Sequence, residues 1–155
     1  MKKIIFSLIL GLCLFGNIYA QAEPDEQDEV TAPIKQLFEG MMKKDTNLIK
    51  AVFHPTATLN SIGVNKDGVP LYSNTPIDVF ITGIGSIPAK QKLEEKILSY
   101  EVKVDGNMAS VWTPYEFYFG GQFSHCGVNV FTLFKSEEGW VITAITDTRR
   151  REGCQ

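Results

Sequence analysis

The chain has 155 residues, 44% of them hydrophobic and 11% aromatic, and a formal charge of −3. That balance suffices for the core of one domain. It lacks the basic footprint of a nucleic-acid-binding protein, and the histidines and cysteines fall at spacings that match no zinc pattern, so neither metal nor cofactor is expected.

Met1 to Ala20 reads as a secretory signal. Lys2 and Lys3 form its positive start, and Ile4 to Phe15 is an apolar run too short to span a bilayer. Small residues place cleavage after Ala20 or Ala22. Cys13 is not expected to carry a lipid, because the bulky Leu12 precedes it. The mature chain is expected outside the cytoplasm, periplasmic or extracellular, with no membrane association after cleavage. Loss of the two lysines takes the net charge to about −5.

Residues 21–30 read as a short, acidic, disordered linker and residues 31–155 as a single domain. Thr31 is expected to cap a helix with Pro33 in its first turn. Ile34, Leu37, Phe38, Met41 and Met42 recur at three- and four-residue steps and form its apolar face. Asp45 or Thr46 caps a second, short helix running through Phe53 and stopped by Pro55. Thr56 to Val64 is a strand, Asn65 to Gly68 a turn and Val69 to Tyr72 a short return. Thr75 caps a third helix, with Pro76 at its start, running to about residue 81.

Four long strands follow. Leu93 to Val104 pairs through the Asp105-Gly106-Asn107 turn with Met108 to Phe119, rich in Val, Trp, Tyr and Phe. Gly120-Gly121 supplies the positive φ angles of a two-residue hairpin leading into Phe123 to Phe134. Ser136 to Gly139 turns the chain into Trp140 to Thr148.

Uninterrupted antiparallel register places Glu116 opposite His125 and Trp112 opposite Asn129. The next hairpin places Asn129 opposite Thr146 and His125 opposite Arg150. One face then carries Trp112, Glu116, Tyr118, His125 and Asn129, a mixture of aromatic and convergent polar groups suited to a pocket wall. The other, rich in Val and Thr, carries Val111, Val128, Val130 and Ile145 and suits an interface. One bulge would exchange these sets locally. Cys126 and Cys154 remain after the leader is removed, and a short fold-back of the tail would bridge them.

The run Phe38 to Asp45, the segment Phe53-His54-Pro55-Thr56-Ala57, the closing Gly139-Trp140-Val141-Ile142 and the Asp147-Thr148-Arg149-Arg150 end resemble the nuclear transport factor 2-like superfamily. The resemblance is to its secreted, lumazine-binding-like or SnoaL-like bacterial branch and spans essentially the whole mature chain. It implies an α+β fold of cone shape, a strongly bent antiparallel sheet wrapped around about three N-terminal helices, often dimeric through the convex sheet face. The superfamily includes ketosteroid isomerases, scytalone dehydratase and polyketide cyclases, and also members with no catalytic role. None of those enzymes' catalytic motifs can be placed on this chain position by position.

Each candidate residue has a functional and a packing role open to it. His125 beside Glu116 would form an acid/base pair or a plain hydrogen bond near the sheet edge. Asn129 would anchor a ligand carbonyl or satisfy a neighbour. His54 would bind a ligand or meet the last carbonyls of helix 2. Trp112, Tyr118 and Tyr72 would line the pocket or pack at its rim. Asp147 and Arg149, two apart on one strand, read as an ion pair or dimer contact or as a substrate clamp, and Arg149 to Arg151 as a solvated strand end or an anion site. The resulting expectation is an exported homodimer that binds a small, partly apolar molecule. The alternatives are a cofactor-free isomerase or dehydratase using His125 and Glu116, and a dimeric protein-interaction module.

Overall fold

The structure is a computed structural model that describes residues 26–154. The expected leader, its cleavage sites, Cys13 and the first half of the expected linker lie outside the described residues. The elements run α1 (Glu26–Lys43), α2 (Thr46–Ala51), β1 (Phe53–Val64), β2 (Pro70–Pro76), α3 (Ile77–Gly85), β3 (Leu93–Ile97), β4 (Glu101–Asp105), β5 (Met108–Phe119), β6 (Gln122–Ser136) and β7 (Gly139–Thr148). The strands form one curved, unclosed sheet in the order β2-β1-β7-β6-β5-β3, with β4 also paired to β5. The fold is the expected α+β cone. Its sheet is mixed rather than wholly antiparallel, because β1 returns beside β7 as a parallel neighbour.

Helix α1 begins at Glu26, earlier than the expected Thr31 cap, and residues 26–30 are helical rather than linker. Glu26, Asp28 and Glu29 fill its first turn, where carboxylates meet the positive end of the helix dipole. Pro33 therefore lies inside the helix, with Val30, Ile34 and Leu37 buried around it. Asp45 caps α2 as expected, its side chain accepting from the backbone N–H groups of Asn47 and Leu48 at 2.9 and 3.2 Å. This helix ends at Ala51, so Phe53 and His54 open β1 instead of closing α2. Thr75, expected as a helix cap, lies in β2 opposite Leu59, and α3 starts after Pro76.

The expected strand 93–104 is broken into two. Pro114 of β5 explains the break: its carbonyl accepts from Leu98 N–H at 2.9 Å, so its side of the ladder faces β3 and β4, and there it has no N–H to give. Val30, Ile34 and Leu37 from α1, Ile49 and Val52 from the α2 region, and Phe131, Leu133, Ile142 and Ile145 from the sheet form the core. The helices thus lie against the concave face of the sheet and leave its other face uncovered.

Candidate functional site

Both expected hairpin turns are present. Phe119 pairs with Gln122 across Gly120 and Gly121, whose φ angles are 64° and 80°, and Ser136 pairs with Gly139. Each ladder then slips by one residue. After Tyr118↔Phe123 the next pair is Phe117↔His125, leaving Ser124 as the extra residue of a bulge. After Leu133↔Ile142 the next is Thr132↔Ala144, leaving Thr143 extra.

These slips correct the expected faces. His125 lies opposite Phe117, not Glu116, and Asn129 lies between Thr113 and Asp147, not between Trp112 and Thr146. Thr113, Tyr115 and Phe117 turn inward beside His125, Asn129 and Phe131. Trp112 and Glu116 turn outward. Cys126, not His125, faces Arg150.

The inward residues and the helices enclose a cavity of about 270 Å³. Leu37, Phe38 and Met41 of α1 and Phe80 and Ile84 of α3 form its apolar side. Opposite them the sheet presents Glu95, His125, Asn129, Asp147 and Arg149, with Tyr115 and Phe117 between. Gly127 makes room for this arrangement. A side chain there would run into the Thr148 carbonyl, to which the Tyr115 hydroxyl donates at 2.9 Å.

The polar side is tied together strand by strand. Asn129 donates through Nδ2 to Glu95 Oε1 at 2.8 Å, linking β6 to β3. Thr113 donates through Oγ1 to the Asn129 carbonyl at 3.3 Å. Arg149 donates through Nε to Asp147 Oδ2 at 2.6 Å and through Nη2 to Ser61 Oγ at 3.2 Å, linking β7 to β1. The Asp147 side chain is 7% exposed, against 55% for Arg149. Its second oxygen, Oδ1, is buried with no partner, an arrangement that ordinarily costs stability.

Burial pushes the Glu95 carboxyl up to about 7. The Asn129 amide opposes the rise, the Asp147 charge adds to it and Arg149 opposes it again. Near neutral pH the protonated and ionised forms of this carboxyl coexist. Burial lowers the His125 imidazole, helped by the positive charges of Arg149 and Arg151 and opposed by Asp147. Its Nδ1 meets Ser124 Oγ at 3.0 Å, and its ring lies against Tyr115 and Phe117. Burial also raises the Tyr115 phenol, with Asp147 and Glu95 adding to it.

Of the residues expected at the site, His125 and Asn129 line the cavity. Glu116 accepts from the Tyr118 hydroxyl at 2.8 Å on the other face, so the His125–Glu116 pair does not form. Tyr118 packs against Phe123, with Lys96 over its ring. Trp112 is 48% exposed on the outer face. The His54 ring bonds Thr56 Oγ1 at 2.9 Å beside a separate groove, and the Tyr72 hydroxyl donates to Asn60 Oδ1 on the β1–β2 hairpin. Asp147 and Arg149 form the expected ion pair, now inside the site.

Glu95 was not among the expected site residues. A signal for it exists, since Leu93 and Ile97 point inward and strict alternation puts Glu95 on the same face. The expected bridge between Cys126 and Cys154 is present, with Cα atoms 5.9 Å apart. It is compatible with export. No cluster of three or more His, Cys, Asp or Glu suited to a metal occurs among the described residues. No described helix is long and apolar enough to cross a membrane.

A family profile described as "Putative lumazine-binding" matches residues 25–146, most of the chain. The chain belongs to this family. Solved structures place the lumazine-binding-like fold in wider company. A nuclear transport factor 2-like superfamily protein from Salmonella enterica superposes with a TM-score of 0.62 at 19% identity, covering 82% of this chain and 92% of its own. A protein with a cystatin-like fold from Nostoc punctiforme gives 0.62 at 8% identity, covering 81% and 92%. A "putative dehydratase" of the same superfamily from Streptomyces avermitilis gives 0.60 at 15% identity, covering 83% and 99%. At such identities the likeness concerns the fold. No curated protein matches the sequence.

Proposed function

We propose that this lumazine-binding-like protein is exported and holds a small, flat, partly apolar molecule in the cavity between α1, α3 and the sheet. The observation that carries the reading is the unpartnered, buried Asp147 Oδ1 at a cavity whose other walls are mostly apolar. Apolar walls with a few placed polar groups are the usual composition of a small-molecule site. Oδ1 has almost no accessible surface, so a ligand N–H would complete Asp147 after a small side-chain shift, and the Glu95–Asn129 pair presents a donor and an acceptor side by side. Lumazine, the molecule in the family description, has this chemistry: a fused heteroaromatic ring with N–H and carbonyl groups on its edge.

The test is a fluorescence titration of lumazine into the mature protein. Saturable binding is expected, weakened about tenfold or more by Asp147→Asn, since a hydrogen bond to a charged group contributes about 1.5–3 kcal/mol. No saturation up to millimolar lumazine would overturn the reading.

A second reading has the cavity transfer a proton without a cofactor. Glu95, with its carboxyl near 7 inside the cavity, supports it and takes the place of the His125–Glu116 pair. Turnover of an isomerisable substrate that survives Glu95→Gln would dismiss it. Met108, Trp112 and Phe134, exposed on the outer sheet face, support a homodimer. A purely monomeric mass in native mass spectrometry would remove that part.

A further inference from the structure

A second groove shares His125 and Arg149 with the cavity and continues onto the surface past Lys66, Arg150 and Arg151. Arg149 is neutralised by Asp147. Lys66, Arg150 and Arg151 have no ion-pair partner among the described residues, and the one acid lining the groove is Glu152. The protein as a whole is acidic, so this concentration of positive charge beside the cavity runs against its composition.

The segments that carry the cations are also anchored. Lys66 belongs to a turn closed by Asn65, whose side-chain oxygen accepts from the N–H groups of Asp67 and Val69, both at 2.9 Å. Arg150 exchanges both backbone hydrogen bonds with Cys126 at 2.9 Å, and the Cys126–Cys154 bridge pins the end of the segment to β6. The Arg150 guanidinium donates only a long bond, 3.4 Å, to the Gly153 carbonyl. Its other N–H groups are available to an oxyanion.

Resting on the small-molecule reading above, we infer that the ligand carries an anionic group, a carboxylate or phosphate monoester, which sits among Lys66, Arg150 and Arg151 while its ring enters the cavity. The acids on the cavity's polar side do not oppose this placement. Asp147 is paired with Arg149, and Glu95 lies on β3 among the lining of the cavity and not of the groove.

Calorimetric titration of the mature, disulfide-bonded protein with 2-naphthamide, 2-naphthoate and 2-naphthyl phosphate tests this, because the three share one ring. The better of the two anions is expected to bind about tenfold more tightly than the amide, as three partly exposed ion pairs would allow. Which anion leads distinguishes carboxylate from phosphate. The Lys66→Ala/Arg150→Ala/Arg151→Ala variant is expected to bring both anions down to the affinity of the amide, and Arg151→Glu alone to lower them measurably. Equal binding of all three by the natural protein would overturn the anion assignment and leave the small-molecule reading standing. Binding by none would overturn the anion assignment, and the lumazine titration then decides whether the small-molecule reading falls with it. Anion preference that persists in the triple variant would place the anion elsewhere and refute the groove.

Discussion

Replacing Glu95 with glutamine isolates the cost of a partly buried carboxylate at this site. Gln has the same outline and can still accept from Asn129, but it carries no charge. The folded-state carboxyl lies at about 7, against 4.5 for an ordinary glutamate. Because the folded value is the higher one, the unfolded chain ionises first as pH rises. The natural protein therefore loses stability between pH values near 4.5 and 7 and bears the full cost above 7. At about 1.36 kcal/mol per pKa unit, that cost is about 3 kcal/mol. Glu95→Gln should be more stable than the natural protein by roughly this amount at pH 8, and the two should converge near pH 4. Urea unfolding at closely spaced pH values, with the disulfide intact, reads the difference directly. A difference that does not vary with pH, or a variant less stable at pH 8, would refute the argument and remove Glu95 as a strained carboxylate.

Two other predictions test the frame around the site. Loss of the Cys126–Cys154 bridge, by Cys126→Ala/Cys154→Ala or by reduction, should cost about 3.5 kcal/mol by the loop-entropy relation for a separation of 28 residues, read as a lower urea midpoint. Phe131→Ala, at 1% exposure, should cost about 3–5 kcal/mol, whereas Trp112→Ala should cost under about 1 kcal/mol. Equal costs in chemical unfolding would mean that the sheet faces are misassigned.

The sequence reveals more of the frame than of the site, for a physical reason. Turns announce themselves through residue chemistry: Gly120-Gly121, Ser136 to Gly139 and Asn65 to Gly68 all turn where expected. The Asp45 cap is equally legible. A bulge has no such composition. Ser124 and Thr143 look like ordinary strand residues, yet each shifts its ladder by one position and turns every later side chain over. That is why β6 presents its expected face to the helices while Trp112 and Glu116 of β5 face outward. Pro114 was the one readable warning in β5, and it marks where β3 and β4 separate. Glu95 is legible by alternation with Leu93 and Ile97, but the strand alone does not show that its inward side faces a cavity.

The family match stops at residue 146, immediately before Asp147. The ion pair, the arginine run and Cys154 all lie beyond that point, whereas the hydrophobic seam between helices and sheet lies almost entirely within it. Most of the charged lip thus lies outside the segment that defines the family, and Lys66 of the β1–β2 turn is its contribution from within. Grafting residues 147–154 onto a relative's last strand would transplant the lip only with a cysteine at the place of Cys126 and a lysine at the place of Lys66.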